Sequence, residues 1–164
     1  MVERAKTIGA DAIKFQLRLG KNYLSPLHHQ VIIEACKETD ISHGITVYDQ
    51  VGLRTVIDGQ WRTDFIKIGS AEWIDIEFVK SVIDATKDRF QFPIIVSTGG
   101  GVQSNLMKLQ TIIPSRVAVL LCTSIYPCPA NKADIGLLSR YEDIFANSVV
   151  GFSDHTLGTH IAGG

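Results

Sequence analysis

Near its end the chain reads Val149-Val150-Gly151-Phe152-Ser153-Asp154-His155-Thr156: an apolar run that stops at a hydroxyl, a carboxylate, an imidazole and a second hydroxyl. A buried strand that delivers chemistry at its carboxyl end has this look. Earlier apolar runs end the same way. They leave Lys14 and Gln16; Thr46 and Asp49; Lys67, Ser70 and Glu72; Ser97, Thr98 and Gly99; and Thr123, Ser124 and Tyr126. Two lysines, several hydroxyls and the turn Ser97-Thr98-Gly99-Gly100-Gly101 suit a phosphate. The ammonium groups supply charge, and the hydroxyls and turn N–H groups supply donors. Taken alone, the glycine run is also what a plain strand-to-helix turn looks like, and a lysine at a strand end often extends to solvent. His155 suits a metal ion or acid–base work, or a hydrogen-bonded place in the wall. Glu72 suits a carbohydrate hydroxyl, or simply the positive end of a helix dipole.

These groups need strands to carry them, and the apolar runs at 12–16, 45–49, 65–70, 93–97, 117–123 and 148–153 supply six. Amphipathic stretches at 26–39, 51–61, 74–87, 102–112 and 134–145 predict helices between them, and 1–8 reads as the end of an earlier helix. Ser25 before Pro26 is a cap signal, Ser104 and Asn131 are further cap candidates, and Gly44 and Gly59 stand where helices should stop. Residues 130–134 read as a polar loop. Strict alternation of strand and helix means a parallel sheet, either doubly wound or a barrel. Lys14 and Gln16 share one face of their strand. Lys67 lies inside Phe65-Ile66-Lys67-Ile68, a costly place in a sheet covered on both faces. It is tolerable in the mouth of a barrel that faces an anion. The reading is an α/β fold: a partial (β/α)8 TIM-type barrel of about six parallel strands, with residues 1–164 forming one domain. Such a sheet has two unpaired edges, which predicts self-association.

Composition narrows the partners. A formal net charge of -1 gives no overall attraction to nucleic acid or an anionic membrane. There is no 18-residue apolar run for a membrane span, and the amino terminus lacks the apolar core of a signal peptide. Three cysteines, Cys36, Cys122 and Cys128, are an odd, low count that suits a reducing compartment such as the cytoplasm. They read as core or wall residues. His28 and His29 read as surface residues of a helix, His43 as part of a turn before a strand, and His160 as lying in a final helix without a role. Trp61 and Trp73 read as packing.

Five ordered segments, GADAIKFQ, FIKIGSAEW, PIIVSTGG, LCTSIYPCP and VGFSDHTLG, resemble the N-acetylneuraminate (sialic acid) synthase family over essentially the whole chain. Related members make legionaminic or pseudaminic acid. The resemblance implies a TIM-type barrel followed by a small antifreeze-like domain. It implies condensation of phosphoenolpyruvate with an N-acetylated amino sugar such as N-acetylmannosamine, release of phosphate, and a divalent metal, Mn2+ or Mg2+. It places Lys14, Thr46, Lys67, Ser70, Ser97, Ser124 and Ser153 around the phosphate and carboxylate, with Thr98 and Gly99 in the same turn. Gln16, Glu72 and Tyr126 would contact the sugar, and His155 would be one metal ligand. Lys14, Lys67, Glu72 and Tyr126 are the candidates for catalysis. Asp154 would hold the loop or the imidazole. The SDHT and TSIYP segments separate the chain from 3-deoxy sugar acid synthases.

Departures from the pattern are also plain. A first strand bearing a glutamate has no counterpart here, the strand with a second metal-binding histidine is expected beyond Gly164, and the antifreeze-like domain is absent. Leu121 stands where many members have histidine, Gly100 where methionine is common, and Ser124 where asparagine is frequent. Two expectations follow. One is a synthase completed by homo-oligomerisation or by further segments; the other is a truncated, non-catalytic barrel that keeps its phosphate pocket.

Overall fold

The computed structural model describes residues 1–17, 26–59, 62–88 and 93–162. Ser25 and Trp61 lie outside that set. Helix and strand alternate: α1 (Val2–Thr7), β1 (Ala12–Leu17), α2 (Pro26–Glu38), β2 (Ser42–Val47), α3 (Gln50–Ile57), β3 (Phe65–Ile68), α4 (Ile76–Lys87), β4 (Ile94–Ser97), α5 (Gln103–Gln110), β5 (Val117–Cys122), α6 (Leu138–Ile144) and β6 (Val149–Ser153). The strands are all parallel and pair in chain order, β1-β2-β3-β4-β5-β6. A doubly wound sheet reverses its order at a switch point; this one does not. It is a partial barrel wall with β1 and β6 at its ends.

Alternation along each strand sorts the side chains onto two faces. Ile45, Val47, Ile66, Ile68, Ile94, Val96, Val117 and Val119 are fully buried and cluster with Leu53 and Val56 of α3, Phe78, Val79 and Val82 of α4, and Leu109 of α5. Each such side chain contributes about 1.5–3 kcal/mol by leaving water. The residues between them face the other way and carry the polar groups.

Local chemistry sets the helix boundaries. Asp49 Oδ1 accepts the Gly52 N–H at 2.7 Å to start α3, and Asp75 Oδ1 accepts the Phe78 N–H at 3.0 Å to start α4. At α5 the capping group is Asn105, whose Oδ1 accepts the Val102 N–H at 3.2 Å; Ser104 does not cap it. Asn131 lies within a 3-10 turn, Ala130–Lys132, and caps no α-helix. The helix expected at 134–145 is shorter because Asp134 adopts a left-handed φ of 51° and a second 3-10 turn precedes α6. Gly59 does end a helix, with φ of 76°. Gly44 does not: it lies inside β2, where the Phe65 ring occupies the space of a side chain.

Two histidines are placed differently from the sequence reading. His29 is 2% exposed on the inner side of α2, and His43 is 7% exposed within β2. Periodicity alone did not distinguish an imidazole packed under a helix from one on its outer face. His43 Nδ1 lies 3.1 Å from Asp64 Oδ2, and Nε2 lies 2.9 Å from the Arg62 carbonyl. The His29 ring lies 6.4 Å from it. Burial, then the charge of His43, lowers the His29 pKa to about 4 from 6.5. The unfolded chain therefore binds a proton that the folded chain refuses, and stability falls as pH drops through 6.5 towards 4, by up to roughly 3 kcal/mol. Urea midpoints should fall from pH 7 to pH 5, and His29→Gln should flatten that slope. Equal slopes in both proteins would reject the assignment.

No described helix is long and apolar enough to cross a membrane.

Candidate functional site

A cavity of about 360 Å³ opens at the carboxyl ends of the strands. β1 contributes Lys14 and Gln16, β2 Thr46, β3 Lys67, β4 Ser97, β5 Cys122 and β6 Ser153. All lie on the face opposite the helix-packed core. The loops add Ser70 and Glu72 after β3, Ser124 and Tyr126 after β5, and His155 after β6. A larger cavity of about 740 Å³ lies at the other end of the sheet, around His43 and Asp64. Those two groups are already spent on each other and on the Arg62 carbonyl, so size does not identify the site; the convergence of strand ends does.

Every residue given a catalytic, substrate or metal role in the sequence reading lines the smaller cavity except Thr98 and Gly99, while the strand-end residues Asp49, Thr123 and Asp154 do not line it. Thr98 follows Ser97 and so faces the helices. Its hydroxyl donates to the Leu120 carbonyl at 3.0 Å and shares a 2.8 Å hydrogen bond with the Tyr141 hydroxyl. Gly99 backs the wall: its N–H donates to Ser70 Oγ at 3.2 Å, and its carbonyl accepts the Trp73 indole N–H at 3.0 Å. A β-carbon on Gly99 would lie 2.1 Å from Ser124 Oγ and 2.9 Å from Ser70 Oγ.

The electrostatics ask for an anion. Burial, then the charge of Lys67, lowers the Lys14 pKa, and burial also lowers that of Lys67. Neither ammonium has an ion-pair partner among the described residues. Thr46 Oγ1 and Ser97 Oγ are buried with no hydrogen-bond partner among those residues. An unmet buried hydroxyl costs about 1–3 kcal/mol. One bound oxyanion would answer both hydroxyls and offset the crowding of two cations.

At the opposite wall, His155 Nδ1 donates to the Thr123 carbonyl at 2.9 Å, which leaves the Nε2 lone pair available. The Tyr126 ring stacks on the imidazole with centroids 4.1 Å apart. Asp154 serves the loop: Oδ1 accepts the Thr156 N–H at 2.8 Å, and Oδ2 accepts the Thr156 hydroxyl at 3.1 Å. The Thr156 N–H is the main reason its carboxyl lies below the usual range. No three His, Cys, Asp or Glu side chains among the described residues cluster as a metal site. Among the described residues His155 is the one imidazole that lines the cavity.

Tyr48 and Cys122 also line the cavity, and the sequence reading assigned neither of them to the site. All three cysteines are buried, as expected of core or wall residues, but Cys122 has the parity of the polar face and pairs in register with Ser153. That spacing was the available signal.

Residues 18–163 match the model of the NeuB family. The N,N'-diacetyllegionaminic acid synthase of Campylobacter jejuni is 24% identical over 201 residues, covering 99% of this chain and 57% of that protein. Among solved structures, the N-acetylneuraminic acid (sialic acid) synthetase of Leptospira borgpetersenii superposes with a TM-score of 0.83 at 22% identity, covering 98% of this chain and 60% of that one. The spore coat polysaccharide biosynthesis protein SpsE of Bacillus subtilis superposes with a TM-score of 0.76 at 21% identity, covering 94% and 47%. These superpositions show a shared fold. The chain spans about half the length of the curated relatives it matches along nearly its whole length.

Proposed function

The chain belongs to the NeuB family, and from that premise we propose that its cavity serves the condensation of phosphoenolpyruvate with an N-acetylated amino sugar, giving a nonulosonic acid and phosphate. The observation that carries this reading is the pair of lysines, Lys14 and Lys67, facing a cavity with two buried hydroxyls, none of the four with an ion-pair or hydrogen-bond partner among the described residues. Preformed cationic and hydroxyl donors stabilise charge on a phosphate throughout a reaction without reorganising. The lysines, with Thr46, Ser70, Ser97, Ser124 and Ser153, hold the phosphate and carboxylate. Gln16, Glu72 and Tyr126 border the remaining space and orient the sugar. The phosphoenolpyruvate methylene carbon attacks the sugar aldehyde, water adds to the resulting cation, and C–O cleavage releases phosphate. His155 would hold a divalent ion, Mn2+ or Mg2+, through Nε2; such an ion polarises an aldehyde oxygen as a Lewis acid. Incubation with phosphoenolpyruvate, N-acetylmannosamine and Mn2+ should release phosphate above the level of a Lys67→Ala control. Equal release would reject catalysis by this chain.

A second reading is a barrel that binds the anion without turnover. That His155 is the one imidazole lining the cavity among the described residues favours it. It predicts phosphate binding without product, and the same assay separates the two.

Among the described residues the outer edges of β1 and β6 have no strand partner, which supports self-association, and three free cysteines suit the cytoplasm. Light scattering at micromolar concentration should give a mass above that of one 18.0 kDa chain. A clean monomer would contradict self-association.

A further inference from the structure

Cys122 is buried yet lines the anion cavity, and neither Cys36 nor Cys128 does so. Its Sγ accepts a hydrogen bond from Ser70 Oγ at 3.3 Å and lies 3.8 Å from His155 Nδ1. Ser70 Oγ in turn accepts the Gly99 N–H at 3.2 Å, and the Gly99 carbonyl accepts the Trp73 indole N–H at 3.0 Å. This chain of contacts crosses the cavity floor from the turn after β4 to the loop after β6, with the thiol at its centre. The hydroxyls of Thr46 and Ser97 in the same cavity, without a hydrogen-bond partner among the described residues, point independently to a ligand there.

We infer that Cys122 is a positioning residue: its sulfur accepts the Ser70 hydroxyl proton, which holds the Ser70 side chain in one rotamer with Oγ turned to the Gly99 N–H and so fixes the turn after β4 that borders the cavity. The inference rests on the anion-site reading above. With no acceptor at position 122, the Ser70 side chain gains rotamer freedom that anion binding must remove. The Gly99 turn loses its link to β5. A site is tight when neighbouring hydrogen bonds lock its contact groups, and the thiol supplies that lock. Any acceptor of similar size at the same place should serve.

The test compares the wild-type chain with Cys122→Ala and Cys122→Ser, each 15N-labelled, checked as folded by circular dichroism and titrated with inorganic phosphate. Cys122→Ala should bind phosphate about three- to tenfold more weakly, the worth of one neutral hydrogen bond. It should also shift the Gly99 amide resonance before any phosphate is added. Cys122→Ser should restore both readings to near wild type. An unmoved Gly99 amide with unchanged affinity in Cys122→Ala overturns the inference. So does a Cys122→Ser protein as impaired as Cys122→Ala, because sulfur bulk would then be what matters. Failure of the wild type to bind phosphate defeats the anion-site reading instead, and the Gly99 amide still decides whether the thiol holds Ser70.

Discussion

Lys67→Ala is expected to lower the affinity for inorganic phosphate about a hundredfold while leaving the fold as stable as before, or more so. The two effects have one cause. Lys67 sits between Ile66 and Ile68, both fully buried, with its ammonium in a cavity beside that of Lys14. Burial and, for Lys14, the facing charge of Lys67 depress both ammonium pKa values. In the empty site the second cation is a cost, since its desolvation is met by no ion-pair partner among the described residues. When an oxyanion enters, the same charge becomes a close, partly desolvated ion pair. Removing one partner of such a pair costs about 2–5 kcal/mol of binding, and 2.7 kcal/mol is a hundredfold. Lys67→Met retains the apolar stem and separates lost packing from lost charge. Calorimetric titration measures the binding, and urea denaturation the stability. Full phosphate affinity in both variants would remove the basis for reading this cavity as a phosphate site. Retained affinity with a large loss of stability would make Lys67 a structural residue.

This inverse coupling also explains why the architecture was legible in the sequence. A lysine inside a four-residue apolar strand is a local contradiction, and such contradictions concentrate where function outweighs stability. Lys67, with Lys14 and Gln16 on one face of β1, therefore discriminated between a doubly wound sheet and a barrel wall. His155 and Ser153 were legible because an apolar strand ended on them. Cys122 and Tyr48 were not, because an apolar or aromatic side chain at a strand end looks the same whether it faces helices or a cavity. Thr98 was assigned to the site by its place in the turn, yet parity with Ser97 sends it to Tyr141. His29 and His43 were misplaced for a related reason. Each is buried through contacts with residues distant in sequence, and His43 is matched to Asp64 and the Arg62 carbonyl. Local pattern carries no signal for such pairings.

Gly101→Ala should destabilise the chain by about 3 kcal/mol, in the upper range for overpacking a core. At roughly 2–4 °C per kcal/mol for a chain of this size, thermal unfolding should shift down by about 10 °C. A β-carbon at Gly101 would lie 1.8 Å from Trp73 Cζ2 and 2.5 Å from Cη2. The indole cannot swing aside. It is fully buried, and its N–H is held by the Gly99 carbonyl at 3.0 Å. The substitution must therefore move either the indole or the turn, and both belong to the contact that fixes Gly99 against Ser70. Gly99→Ala presents the opposite case two residues earlier. Its β-carbon would lie 2.1 Å from the Ser124 hydroxyl and 2.9 Å from the Ser70 hydroxyl, short side-chain ends that can turn aside, Ser70 at the cost of its hydrogen bonds to Cys122 and Gly99. That variant should keep its unfolding temperature within about 3 °C, a cost near 1 kcal/mol, and lose phosphate affinity because the displaced hydroxyls belong to the site. Thermal scans and phosphate titrations on both proteins would show the crossing pattern: one turn glycine reserved for the core, the other for the ligand. If Gly101→Ala melts with the wild type, the indole does not pack where the geometry puts it, and the rigidity ascribed to this turn has no support.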